Sequence, residues 1–299
     1  MPQWKIELKD DFDRDFIIEG LSSGFPLVDT QPQLIPACKS KNHFSAHQFR
    51  ERVEDRLKEE MEDGNYKICN ENQVTLVSPL SVVQKPDGDI RLIHDLSFPK
   101  DNSLNDFANK EPCQYEDIKT AIQMLSPGSW MAKCDLKWAY RSVPIRTDHQ
   151  TLTGLQWTFK GDCKPTTLVD TSFCFGARKS PAHFNRITQA VKRMMIRRGF
   201  KCIVFLDDFL LSEQSFERCA LALKTLIALL RSLGFRINYK KVVDPTQSIV
   251  FLGYHIDTVQ NVLSLDPAKV HEIRLTIQQT IVKKRISRKQ LEKLNGQLA

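Results

Sequence analysis

The 299-residue sequence has no run approaching the ~18 uninterrupted apolar residues of a membrane span. Its opening, Met-Pro-Gln-Trp-Lys-Ile-Glu-Leu-Lys-Asp-Asp, sets acids where a signal peptide needs an apolar core. A soluble, intracellular protein with no membrane partner is expected. The sequence also lacks internal repeats and low-complexity segments. Its eight cysteines include no CxxC pair, the spacing that lets two thiolates grip one zinc ion, so reduced and partly buried thiols are expected. His43 and His47 stand four apart, but no acidic general base lies between them, and the bland reading as surface histidines is preferred to a zinc site.

What is present is enough apolar material for a large core, 41% of the residues, and an unevenly placed net charge of +7. From Arg178 to Lys201 there are eight Lys/Arg and no acid; from Pro267 to Ala299 there are eight Lys/Arg against two Glu. The remainder is therefore acidic. Two basic tracts on separate elements suit a groove that neutralises a nucleic-acid backbone, although solvated helix faces would look similar.

The stretch from Phe25 to Asn42 reads as an extended connector, with folding beginning near Ser45, an N-cap for a helix carrying Phe49, Val53, Leu57 and Met61 and stopping at Gly64. Leu80–Gln84 and 90–93 flank Pro-Asp-Gly-Asp, the chemistry of a hairpin turn whose tip should stand in solvent. Ser180-Pro181 opens a helix that ends at Gly199, and a second runs from about Ser215 to Gly234. Asp266-Pro267 opens a third, with Val270, Ile273, Ile277 and Ile281 on one face, and Ser287 a fourth. Strands interleaved with helices, without regular βαβ alternation, predict α+β.

The chemistry is carried by acids. In Ile203-Val204-Phe205-Leu206-Asp207-Asp208-Phe209-Leu210-Leu211, apolar residues flank an acid pair, which places two charges at the turn of a buried hairpin. Adjacent carboxylates removed from water repel and lose hydration unless a divalent cation compensates them; the competing reading is a turn that simply favours Asp. Trp130-Met131-Ala132-Lys133-Cys134-Asp135-Leu136 is a second strand-like run, ending in Asp135. Acids on neighbouring strands can share two Mg²⁺ ions roughly 4 Å apart, which stabilise both oxygens of an in-line phosphoryl displacement.

Phe205-Leu206-Asp207-Asp208 resembles the catalytic box of reverse transcriptases, with Phe replacing Tyr. Cys134-Asp135-Leu136-Lys137-Trp138-Ala139-Tyr140 resembles their first catalytic strand. Phe175-Gly176-Ala177-Arg178-Lys179-Ser180-Pro181 resembles the segment beside the nascent base pair, Leu233–Lys241 the next motif, and Phe251-Leu252-Gly253-Tyr254 the primer grip. These boxes stand in the family's order over roughly residues 80–257. Arg91–Ser97, Phe175 where retroviral enzymes carry Gln, Asn238–Lys241 and Pro245–Gln247 resemble the DIRS-like branch, the tyrosine-recombinase retrotransposons.

The resemblance implies a right-hand polymerase fold whose antiparallel palm sheet carries the catalytic acids, backed by helices. Residues 1–44 would be an N-terminal extension, 45–129 the fingers with their hairpin at 80–93, 130–257 the palm with a fingers insertion at about 145–175, and 258–299 the thumb with the start of a connection. It implies an RNA-directed DNA polymerase acting on an RNA or DNA template, a primer and dNTPs. Asp135, Asp207, Asp208 and the Leu136 carbonyl would hold two Mg²⁺ ions, with Mn²⁺ an acceptable substitute.

By the same resemblance, Lys85 and Arg91 would close on the triphosphate, Tyr140 would exclude a 2′-hydroxyl, and Phe175 and Gly176 would floor the nucleotide pocket. Lys240 or Lys241 would protonate the leaving pyrophosphate; the sequence leaves the choice open. Arg178, Lys179, Leu252, Gly253, Lys283, Lys284 and Arg285, with Arg288 and Lys289, would touch template and primer. Trp138, in a place commonly small or acidic, and Cys174, where Pro is usual, depart from the pattern. An RNA-directed RNA polymerase would share the palm, but Tyr140 opposes it; a decayed remnant that only binds nucleic acid is opposed by the intact acids. Ribonuclease H and recombinase domains of a polyprotein would lie outside this sequence.

Overall fold

The computed structural model describes residues 1–85, 88–283 and 285–298. The chain divides into two compact units: Met1–Tyr115, Leu136–Met194 and Ala228–Asn238 form the first, and Glu116–Asp135, Met195–Ile227 and Tyr239–Ala299 the second. Among the described residues no helix is long and apolar enough to cross a membrane.

The chain opens with helices α1 (Pro2–Glu7) and α2 (Arg14–Ser23). Folding, expected to begin near Ser45, starts earlier: in the N-terminal extension Trp4, Leu8 and Ile17 are buried, as are Phe25 and Leu27 of the expected connector. Trp4 Nε1 donates to the Leu233 carbonyl at 2.9 Å, and its ring meets Phe235 edge-on. Acids can be buried here because arginines compensate them. Arg193 reaches Asp11 at 2.7 Å and Asp13 at 3.0 Å, and Arg186 reaches Asp13 at 2.6 Å. The two guanidiniums also lie over the Phe12 and Phe16 rings.

After β1 (Cys38–Lys39), two short helices replace the single one expected: α3 (Phe44–Gln48) and α4 (Arg50–Glu62), separated at Phe49. Ser45 does not cap; it lies inside α3 and its Oγ accepts from Val82 N at 3.1 Å. Gly64, at φ 76°, stands just past the end of α4. Strands β2 (Tyr66–Ile68) and β3 (Leu76–Val77) precede the hairpin β4 (Leu80–Gln84) and β5 (Ile90–His94), in register from Leu80↔His94 to Gln84↔Ile90. Pro86 and Asp87 of its turn lie outside the described residues. Of the flanking residues, Asp89 is exposed as expected, while Arg52 of α4 donates to the Gly88 carbonyl and Arg56 stands 3.8 Å from Asp89.

Next come α5 (Ile118–Met124), β6 (Trp130–Lys137), α6 (Thr147–Gln150), β7 (Gly154–Trp157) and β8 (Thr166–Asp170). In the first unit, β1, β3, β7, β8 and β2 line up in that order as one sheet, over a core that includes Val53, Leu57, Leu80, Leu155, Trp157 and Leu168. Helix α7 (Ser180–Arg197) and α8 (Phe216–Ser232) are closed by Gly199 and Gly234, both at positive φ, as their sequence signals predict. Ser180 is the first helical residue, and its buried Oγ finds no hydrogen-bond partner among the described residues, so it is not the expected cap.

In the second unit, β9 (Lys201–Phe205) and β10 (Asp208–Glu213) form a hairpin, and β10 pairs antiparallel with β6. Strand β11 (Arg236–Ile237) pairs with the last residues of β6 within the first unit, while β12 (Val243–Thr246) flanks β6 in the second. Strands β13 (Ser248–Phe251), β14 (Tyr254–Asp257) and β15 (Val262–Leu265) make a meander. Ala121 of α5, Met131, Ile203, Leu210, Ile249, Phe251 and Ile256 form the core behind the hairpin, so a helix backs this sheet as expected. Helices α9 (Pro267–Ile281) and α10 (Arg288–Leu298) close the chain. Asp266 caps α9 through Ala268 N at 3.0 Å, but the apolar face of α9 is only half buried.

Candidate active site

The site is built on a two-residue turn. Strand β9 ends at Phe205 and β10 starts at Asp208, so Leu206 and Asp207 make the whole connection, with Leu206 at φ 55°. A left-handed leucine costs roughly 1–2 kcal/mol, which the two flanking ladders must offset. The ladders do so because their inner positions are apolar: Val204, Phe209, Leu210 and Leu211 are fully buried.

The β6–β10 register then sets Asp135 directly opposite Asp208, with Phe209 across from Cys134 and Leu210 across from Lys133. Directly opposed residues share a face, so Asp135 and Asp208 emerge side by side. The strand runs on to Lys137, two residues beyond the end expected at Asp135, and so the first acid is held within the ladder rather than at its tip.

Two lysines answer these charges. Lys241 Nζ donates to Asp135 Oδ2 at 2.9 Å, and Lys133 Nζ stands 3.0 Å from Asp208 Oδ2. Lys133 was not read from the sequence as a site residue; its place two before Asp135, on the same face of a strand, was the available signal. Burial pushes the Asp208 carboxyl up to about 6, even with Lys133 pulling it down. Asp207 is raised too, by burial and by the charge of Asp135, while the hydrogen bond to Asp135 raises Lys241. Asp208 Oδ1 is buried and has no hydrogen-bond partner among the described residues.

The residues expected at the nucleotide pocket lie in the first unit. Tyr140 is buried, with its ring centroid 5.0 Å from that of Phe175, which is 63% exposed. Gly176 sits at φ 102°, and a Cβ there would stand 2.8 Å from the His94 carbonyl, so only glycine fits. Arg91 is exposed on β5 opposite Val83, and Lys85 is held by Asp89 at 2.6 Å. Trp138, at φ 54°, has Lys137 over its ring at 4.1 Å and Arg236 at 5.2 Å.

Among the expected nucleic-acid contacts, Leu252 and Gly253 form the left-handed turn between β13 and β14. Lys283 and Arg285 are exposed; Lys284 lies outside the described residues, as does the Lys289 side chain. The first basic tract differs from expectation. Lys179 is buried and paired with Asp29 at 2.5 Å and Glu111 at 3.2 Å, and Arg178 gives an N–H to the Ala108 carbonyl. With Arg186 and Arg193 committed to Asp11 and Asp13, three of this tract's eight cations neutralise the chain's own acids.

A strand–turn–strand hairpin offering two acids, set against a third on the adjoining strand, is the palm of a right-hand polymerase. The chain belongs to the reverse transcriptase (RNA-dependent DNA polymerase) family, whose sequence profile matches residues 65–256. It is similar to the Gag-Pol polyprotein of avian reticuloendotheliosis virus, 25% identical over 145 residues, covering 46% of this chain and 12% of the polyprotein. The Gag-Pol polyprotein of walleye dermal sarcoma virus is 25% identical over 179 residues, 59% of this chain and 10% of the polyprotein. The chain thus spans about a tenth of the polyproteins it matches. Its fold is that of the foamy viral protease-reverse transcriptase. The complex of that protein with RNA/DNA hybrid superposes at a TM-score of 0.70 with 16% identity, over 99% of this chain and 39% of that one. A complex with double-stranded DNA superposes at 0.69 with 19% identity, over 88% and 41%.

Proposed function

We propose that this chain is the polymerase portion of a retrotransposon reverse transcriptase, extending a primer on an RNA or DNA template with dNTPs by two-metal nucleotidyl transfer. The observation that carries the reading is the register setting Asp135 across from Asp208, with Asp207 beside it in the turn. The donor set fits hard divalent cations: it offers only oxygen, one buried oxygen of Asp208 has no protein partner among the described residues, and two lysines already supply positive charge to the cluster. Among the described residues no three ligating groups close on a common point, so Lys133 and Lys241 would yield to incoming cations. Asp135, Asp207, Asp208 and the Leu136 carbonyl would hold Mg²⁺, or Mn²⁺ in its place. When bound, the cations supply stabilisation of the charge that builds on the attacking and leaving oxygens.

The chain's own groups do the rest. Lys241 touches the carboxylate cluster, which favours it over Lys240 as the proton donor to departing pyrophosphate. Tyr140 would exclude a 2′-hydroxyl, Phe175 and Gly176 would form the floor under the nascent pair, and Lys85 and Arg91 would orient the triphosphate. Leu252, Gly253, Lys283 and Arg285 would hold primer and template; the inward pairing of Lys179 removes it from that list. The same reading makes residues 45–129 the fingers, 130–257 the palm and 258–299 the thumb. The motifs at Arg91–Ser97 and Asn238–Lys241 support a DIRS-like element, in which ribonuclease H and recombinase activities would reside in other domains.

The test is primer extension on an RNA template with dNTPs and Mg²⁺, comparing wild type with Asp207→Asn. Extension by the wild type alone supports the reading. Binding of template-primer without extension by either protein would mark a chain that no longer copies.

A further inference from the structure

The nucleotide pocket proposed above draws on three separate stretches of chain: β5 with Arg91, the turn after β6 with Tyr140, and the segment after β8 with Phe175 and Gly176. Each of the three is tied to one buried carboxylate. Asp170, the last residue of β8 and fully buried, receives Arg141 Nη1 on one oxygen and stands 3.2 Å from His94 Nδ1 on the other. Arg141 is the residue immediately after Tyr140. His94 is the last residue of β5, three beyond Arg91, and its carbonyl is the atom that confines Gly176. Asp170 itself lies five residues before Phe175.

The Arg141 guanidinium also meets Glu60 at 3.0 Å, lies over the Tyr66 ring at 5.0 Å, and is held well above its ordinary pKa by Asp170 against the cost of burial. His94 Nε2 faces the Gly154 carbonyl at 3.2 Å. The Arg141 cation is thus held between two carboxylates largely out of water, an arrangement that is costly to break because the survivors are left uncompensated. Such a network has one geometry, and it transmits that geometry to the residues attached to it.

We propose that Asp170, with Arg141 and His94, is the positioning device for the nucleotide pocket, fixing the Tyr140 ring against Phe175 and so setting the discrimination between deoxy- and ribonucleotides. The proposal rests on the reading of Tyr140 as the sugar gate. Neither Asp170 nor Arg141 has to touch the nucleotide; they act through the residues beside them.

The test is steady-state primer extension with dTTP and UTP for wild type, Asp170→Asn, Arg141→Gln, Arg141→Lys and Tyr140→Ala, with melting curves for each. Asp170→Asn and Arg141→Gln should raise KM for dTTP and lower the dTTP/UTP preference by roughly tenfold to a hundredfold, the scale of a ~1 Å misplacement. Arg141→Lys, which keeps the charge but loses the fork, should recover part of the preference. A folded Asp170→Asn with wild-type preference, while Tyr140→Ala loses it, would overturn the positioning role alone. If Tyr140→Ala leaves the preference intact, the gate reading falls and the proposal with it. Should Asp170→Asn fail to melt cooperatively, His94→Gln serves as the second probe: a shifted preference supports the device, an unshifted one refutes it.

Discussion

Acid should weaken this protein through one buried histidine. His149 is buried, its Nδ1 accepts from Leu27 N at 3.0 Å, and burial, aided by nearby Arg146, pushes its pKa down to about 4. In the unfolded chain the imidazole titrates near 6.5. As pH falls through about 6.5 the unfolded state takes up a proton that the folded state refuses until about 4, so stability is lost across that window. The separation of about 2.5 units corresponds to roughly 3 kcal/mol below pH 4, and to about 2 kcal/mol at pH 5. The assay is urea denaturation at pH 7.5 and 5.0 for wild type and His149→Asn, whose Oδ1 can accept in place of Nδ1 but cannot ionise. Wild type should lose about 2 kcal/mol more than the variant. Contributions from Asp29, Glu111 and His183, whose pKa values are also lowered, are common to both proteins and cancel. Equal losses in the two proteins would refute the reasoning, because His149 would then charge as easily folded as unfolded.

Arg193→Ala should destabilise by about 3–5 kcal/mol, since it removes the guanidinium that grips both oxygens of buried Asp11; adding Asp11→Asn should restore part of the loss, measured by chemical denaturation. Gly24→Ala should sharply lower the melting temperature. Gly24 sits at φ 85°, and a Cβ would stand 2.3 Å from the Arg146 backbone nitrogen, which cannot move aside as a side chain could. Mg²⁺ should raise the melting temperature of the wild type in a concentration-dependent way, by about 2.7 kcal/mol of stabilisation at a hundred times Kd, and should do so less for Asp208→Asn. An equal rise in both would place the cation elsewhere.

The hairpin at Phe205–Asp208 was legible because its signal is local: apolar runs of strand length on either side of two acids. The ends of α7 and α8 were legible for the same reason, at Gly199 and Gly234. The folded N-terminus was not. Asp11 and Asp13 look like a solvated acidic stretch until Arg186 and Arg193, more than 170 residues away in sequence, are seen to meet them. The same pairings, with that of Lys179, account for three of the eight cations of the first basic tract, since a run of cations is indistinguishable in sequence from one whose charges are met internally. Ser45 was misassigned because any exposed-looking hydroxyl before an apolar period resembles a cap; here a strand amide, that of Val82, claims the oxygen instead. The contact of Lys241 with Asp135 was not legible either, because it depends on the short helical turn at Tyr239–Lys241.

The bond from Trp4 to the Leu233 carbonyl also dictates when this protein can finish folding. A ribosome adding 5–20 residues per second needs roughly 10–50 s to make the intervening 229 residues. Throughout that interval the amino-terminal helices have been synthesised but lack the surface that buries their indole. The nascent chain must therefore carry that indole without its partner surface until the segment around Leu233 emerges.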